Sequence, residues 1–201
     1  ARGLQDFGRT EGYFERLIAR WTRQYRASQT AELPAMERLI EWLPTHIPAS
    51  ARDPAALALL HGDYRLENMV FHPSEPRVLA VLDWELSTLG HPLSDLAYHA
   101  MAWHHPPGAL QGLAGLDLAA LGIPAESDYV ARYLARMGRD DLAAVQADWP
   151  FYLACNLFRL CAILQGIARR VQDGTAASPI AREVSAQAGA VAERGWRLVG
   201  G

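Results

Sequence analysis

Lysine is absent. All 19 basic residues among the 201 are arginines. Residues 1–60 also hold no G-x-G-x-x-G stretch. A glycine-rich loop and a lysine are the usual means of holding a nucleotide's phosphates, and this chain offers neither. The arginines form no stripe and the net charge is −3, so the footprint of a nucleic-acid binder is missing. The longest basic cluster, Arg169-Arg170, falls at an expected helix end, where cations favour the dipole in any case. Only two cysteines occur, Cys155 and Cys161. On one helix they would stand about 9 Å apart along the axis and on different faces, beyond disulfide reach. They read as buried thiols in a reducing compartment. No apolar stretch is long enough to span a bilayer, and no signal-peptide pattern opens the chain. These absences lead to the expectation of a cytoplasmic protein with neither membrane nor nucleic-acid partner. His91, His99, His104 and His105 follow no metal-ligand spacing and read as loop or interface positions.

What is present suffices for one well-buried core, since half the residues are apolar. Phe14, Leu17, Ile18, Trp21 and Tyr25 recur at helical spacing, with Glu15, Arg16, Arg20 and Arg23 between them. Met36, Leu39, Ile40 and Leu43 predict a second helix, begun near Pro34 and ended before Pro48. The runs Leu57 to Leu60, Met69 to Phe71 and Val78 to Leu82 predict three short strands of a small sheet, with turn chemistry at Pro73 to Pro76. A helix is expected from near Ser94, then a long irregular excursion over 104–127. Val130, Tyr133, Leu134 and Met137 predict a helix capped by Ser127 or Asp128 and stopped at Gly138. Asp148 is the expected cap of a central apolar helix with Pro150 in its first turn, running to about Val171. Ser178-Pro179 opens the expected last helix.

Chemistry concentrates in two segments. Residues 61–68 read HGDYRLEN, and an apolar run ends in VLDWE at 81–85. Taken singly, Asp63, Asn68 and Asp83 are turn formers or caps. Together they place an Asp, an Asn five residues on and a second Asp twenty residues on, all at strand ends. Phosphoryl transfer needs that set: a carboxylate to hold the attacking hydroxyl, and an amide and a carboxylate to hold magnesium. The spacing matches the catalytic and metal loops of protein kinases, with Gly62 where Arg is usual and Trp84 where Phe is usual.

HGDYRLEN followed by VLDWE resembles the aminoglycoside phosphotransferase (choline-kinase-like) family. YFERLIARWTRQY, RLIEWLP, RVLAVLDWELSTLGHPLSDLAYHAMAW and FYLACNLFRL are similar to its branch found alone in bacteria or fused to acyl-CoA dehydrogenases. The resemblance implies an α+β, mostly helical fold: the C-terminal lobe of a kinase-like protein, with a small sheet carrying the catalytic and metal loops across 1–201. It implies that Asp63 is the base, that Asn68 and Asp83 hold Mg2+ and through it ATP, and that Asp95 buttresses the catalytic loop. His61 is expected to lock the loop by a hydrogen bond. Arg65 could neutralise charge developing in the transition state. Glu85, two residues after Asp83, could support the metal from behind. Tyr152, Asn156 and Arg159 lie on one face of the central helix and are candidates to line the acceptor pocket, the alternative being a satisfied core network.

The expected function is ATP- and magnesium-dependent transfer of a phosphoryl group to a small-molecule hydroxyl, a hydroxyacyl thioester among the candidates. The phosphate-holding half of such a site is not in this chain. Its opening on Ala1 rather than Met fits a lobe that lies upstream, and the expectation is an apolar face where that lobe packed, able to drive self-association. A non-catalytic docking module is the alternative, and a metal-dependent hydrolase a weaker one.

Overall fold

The computed structural model describes residues 7–200. Among the described residues, six α-helices accompany one central helix, together with two small β-ribbons. α1 (Tyr13–Ser28) turns Phe14, Ile18 and Tyr25 inward, the face that its spacing predicts. α2 (Pro34–Trp42) starts on a proline, whose missing N–H has no helical partner to lose there. Four strands follow: β1 (Ala58–Leu60), β2 (Met69–Phe71), β3 (Val78–Val81) and β4 (Thr88–Gly90). Then come α3 (Leu93–Ala100), α4 (Glu126–Arg136), α5 (Leu142–Gln172), α6 (Ala181–Ser185) and α7 (Ala188–Arg197). Residues 105–125 form no helix or strand, as expected.

α5 is the axis of the core. α1, α3, α6 and α7 pack on it, and α2 packs on α7. Phe14 meets Phe151 edge-on with ring centroids 5.3 Å apart. Cys155 and Cys161 are buried and unpaired. Burial pushes both thiols up to about 12.

Several expectations fail, each for a physical reason. The strands do not make one sheet: β1 pairs antiparallel with β4, and β2 with β3, as separate two-stranded ribbons. β4 carries no period-2 signal because it is three residues long and ends in Gly90. α5 starts at Leu142 rather than Asp148, so Pro150 lies inside it. α4 starts at Glu126 with Ala125 before it, so Ser127 and Asp128 fall within its first turn and neither caps it. The last predicted helix divides into α6 and α7. The statement that no stretch could span a bilayer also needs correcting. By length and composition α5 could, with a mean hydropathy of 1.5 over its most apolar window, but 78% of that window is buried inside the protein. A helix apolar all round is what a core axis requires.

Candidate active site

The loop after β1 is held from three sides. The backbone N–H groups of His61 and Gly62 donate to the two carboxylate oxygens of Asp95 on α3, at 2.6 and 3.1 Å. Burial pushes the Asp95 carboxyl up, and those two N–H bonds pull against it. His61 is buried, and the N–H of Asp63 donates to its Nδ1 at 3.2 Å. That leaves Nε2 to carry the proton, which it donates to the carbonyl of Leu82 at 2.6 Å. One imidazole therefore ties the loop after β1 to the residue before Asp83. Asp95 thus contacts the loop through its backbone N–H groups, and His61 through Asp63 and Leu82.

Gly62 is required by the same geometry. Its φ is +83°, and a Cβ there would lie 2.3 Å from the carbonyl oxygen of Leu86. Its own carbonyl accepts a 2.5 Å bond from Nη2 of Arg159 on α5.

Asn68 Nδ2 donates both to the backbone carbonyl of Asp63 at 2.9 Å and to its Oδ2 at 3.0 Å. The amide so placed holds the Asp63 carboxylate through Oδ2. Leu82 N–H donates to the Asn68 carbonyl at 2.8 Å, which sets the Asn68 turn beside Asp83. Asp83 is exposed in the left-handed region, φ 61°, ψ 52°, a costly position for a non-glycine residue and one typical of functional sites. An amide oxygen and a free-standing carboxylate are hard donors that suit magnesium, with phosphates and water completing its shell. Among the described residues no group of three or more His, Cys, Asp or Glu could hold a metal without such help.

The remaining candidates divide. Arg65 is exposed and forks onto Glu67, with Nε to Oε2 at 2.9 Å. Glu67 raises the guanidinium pKa, and Arg65 lowers that of the carboxylate. Glu85 lies exposed on the turn Trp84–Leu86. Tyr152, Asn156 and Arg159 are brought together, but inside the core rather than on a cavity wall. Asn156 Nδ2 donates to the carbonyls of Ser94 and Tyr152, at 3.1 and 3.0 Å. Tyr152 stacks on His91 at 5.4 Å. The core-network alternative describes Tyr152 and Asn156, and Arg159 reaches the loop backbone.

Tyr98 is a site residue that the sequence reading missed. Its hydroxyl faces the Asp63 carboxylate. Burial pushes the phenol up to about 12, with Arg159 pulling it down and Asp63 pushing it further up. Its position three residues after Asp95, on the same face of α3, was the available signal. Aromatic rings continue the wall: His99 lies 5.7 Å from Tyr64 and stacks on Tyr129 at 5.5 Å.

Residues 1–129 match the family model described as "Phosphotransferase enzyme family". The chain belongs to that family. A crystal structure of a candidate aminoglycoside phosphotransferase from Ralstonia eutropha superposes with a TM-score of 0.90 at 54% identity, over 98% of this chain and 58% of that one. Mouse acyl-CoA dehydrogenase family member 10 is 43% identical over 98% of this chain and 18% of its own length. Human acyl-CoA dehydrogenase family member 11 is 39% identical over 83% of this chain and 21% of its own length. The chain thus spans about a fifth of these curated relatives. The phosphotransferase family and this structural neighbour identify the fold as kinase-like, mostly helical with small antiparallel sheets.

Proposed function

We propose that this chain is the base-and-metal lobe of a phosphotransferase that uses ATP and magnesium and acts on a hydroxyl of a small molecule. The carrying observation is the hydrogen-bonded assembly of Asp63, Asn68 and the His61–Leu82 tie beside Asp83. Asp63 would accept the acceptor's hydroxyl proton as that oxygen bonds to the γ-phosphorus and the bond to the bridging oxygen of the leaving ADP breaks. Asn68 and Asp83 would hold magnesium, which would neutralise charge on the phosphates. Arg65 would add positive charge nearby once released from Glu67. Relatives named as acyl-CoA dehydrogenases support a hydroxyacyl thioester as acceptor. The buried, unpaired thiols suit a cytoplasmic setting, and the uneven scatter of arginines gives no reason to add a nucleic-acid partner.

With no lysine and no glycine-rich loop, the ATP-holding half would come from a further lobe, and residues 1–201 alone are expected to transfer no phosphate. The test is phosphate transfer by the whole protein carrying this chain, with and without Asp63→Asn. Loss of transfer by about 10²-fold or more in the variant is expected. Unchanged turnover would remove Asp63 as base, and robust turnover by residues 1–201 would remove the two-lobe reading. The missing phosphate-holding half also favours a second reading, a docking module of kinase-like fold. A magnesium–ATP shift in the melting temperature of the whole protein speaks for the enzyme, and none speaks for the module.

A further inference from the structure

Arg159 is 6% exposed, a severe place for a guanidinium. Its ring contacts are Trp21, 5.5 Å from the guanidinium carbon to the centroid, and Tyr98, at 4.8 Å. Among the described residues its hydrogen bond goes to a main-chain carbonyl, that of Gly62. Nε is buried without a partner among the described residues. A leucine or methionine would fill such a position without desolvating a charge, and buried ions are often replaced by apolar residues with a gain in stability. Arg159 does offset the buried Asp95 carboxylate, but its hydrogen bond goes to the loop backbone and not to that carboxylate.

Gly62 C=O and Asp63 N–H belong to one peptide unit. Arg159 holds its oxygen, and His61 Nδ1 holds its N–H. Asp95 holds the two N–H groups just before it. We propose that Arg159 is a positioning residue that clamps the Gly62–Asp63 peptide plane and so aims the Asp63 carboxylate. Asp95 reaches the loop from α3 and Arg159 from α5, 97 residues along the chain from Gly62. The opposite charges grip consecutive peptides, so the backbone from His61 to Asp63 is held from α3 and from α5. Tyr98 lies between the clamp and the base, with one face to the Arg159 guanidinium and its hydroxyl toward Asp63. The catalytic consequence rests on the phosphotransferase reading, but the clamp itself does not.

The test uses the whole protein carrying this chain, with Arg159→Met and Arg159→Lys, and two readouts. The first is amide hydrogen exchange over residues 60–68. The second is kcat and KM with magnesium–ATP and a hydroxyacyl thioester. In Arg159→Met, exchange over 60–68 should rise about tenfold while the core of α5 stays within about twofold. kcat should fall by about 10- to 100-fold, as expected of a misaimed group, with both KM values within about threefold. Arg159→Lys should recover part of both effects. Should Arg159→Met fail to fold, Arg159→Lys alone is read, with about threefold or greater changes expected in the same two quantities. Exchange over 60–68 that is unchanged, or that rises only in step with α5, overturns the clamp. So does a folded variant with kcat within about threefold of wild type. A wild-type protein that transfers no phosphate refutes the phosphotransferase reading, and the exchange measurement then decides the clamp by itself.

Discussion

Gly62 and Asp83 sit at opposite ends of the His61 tie, and both have left-handed backbone. For Gly62 the consequence is direct. Gly62→Ala would place a methyl 2.3 Å from the Leu86 carbonyl oxygen, against backbone that cannot give way as a side chain can. Its expected cost is about 1–3 kcal/mol from strain alone, and transfer by the whole protein should fall about 10²-fold as the loop shifts. A coupled transfer assay and a denaturant melt check the two parts separately. His91 makes a different kind of prediction. It is buried and stacks on Tyr152 with rings 9° from parallel, and neither ring nitrogen has a partner among the described residues. Burial, helped by Arg139, lowers its pKa to about 4, against nearby Asp141, Asp53 and Asp148. The folded protein then stays unprotonated at a pH where the unfolded chain, near 6.5, takes up a proton. Stability is therefore full above about 6.5, falls as pH drops toward 4, and levels off below. His91→Phe keeps the stacked ring and removes the proton. It should leave stability at pH 7 unchanged or slightly raised, and reduce the loss between pH 7 and 4.5 by about 2.5 kcal/mol, read from chemical melts. His105, also lowered to about 4 by burial, would keep part of the acid dependence.

At the level of elements, α5 carries the most consequential departure from pattern. Pro150 in its interior leaves the carbonyl four residues earlier, at Gln146, without the helical N–H it would otherwise accept from. Pro150→Ala should restore that bond and raise stability by about 1–3 kcal/mol, measured by thermal melting. A loss instead would mean that the fixed φ of Pro150 sets Phe151 and Tyr152 against Phe14, at 5.3 and 5.6 Å. The amphipathic helices α1 and α2 were legible from spacing because each buries one stripe. The start of α5 was not, because a helix buried on nearly all sides has no stripe to read and Pro150 imitated a first turn. β4 escaped notice for a related reason: three residues cannot display a period, and only pairing with β1 makes them a strand.

At the scale of the whole molecule, the β2–β3 ribbon and the turn that follows it are poorly covered. Phe71 on β2, Leu79 on β3, Leu82 just past it, and Trp84 and Leu86 on the turn after Asp83 are each 46–50% exposed. Apolar groups so grouped favour association. Residues 1–201 alone should therefore self-associate, seen as a concentration-dependent shift in sedimentation. The triple change Phe71→Ser, Leu79→Ser, Trp84→Ser should abolish the shift, and an unshifted wild-type chain would contradict the idea. Asn68 directly precedes β2 and Asp83 follows β3, so the ribbon and the chemistry adjoin.

Composition and local order determined the donor set, the helical stretches and the absence of a lysine for phosphate. These are properties of residue type and short spacing, and no folding can supply a missing side chain. The tertiary structure decided which strands pair, and that Tyr152 and Asn156 stay in the core. It also decided that Arg159 turns to the Gly62 carbonyl. Those outcomes depend on groups far apart in sequence competing for the same buried space and the same hydrogen bonds. Spacing along the chain carries no record of that competition.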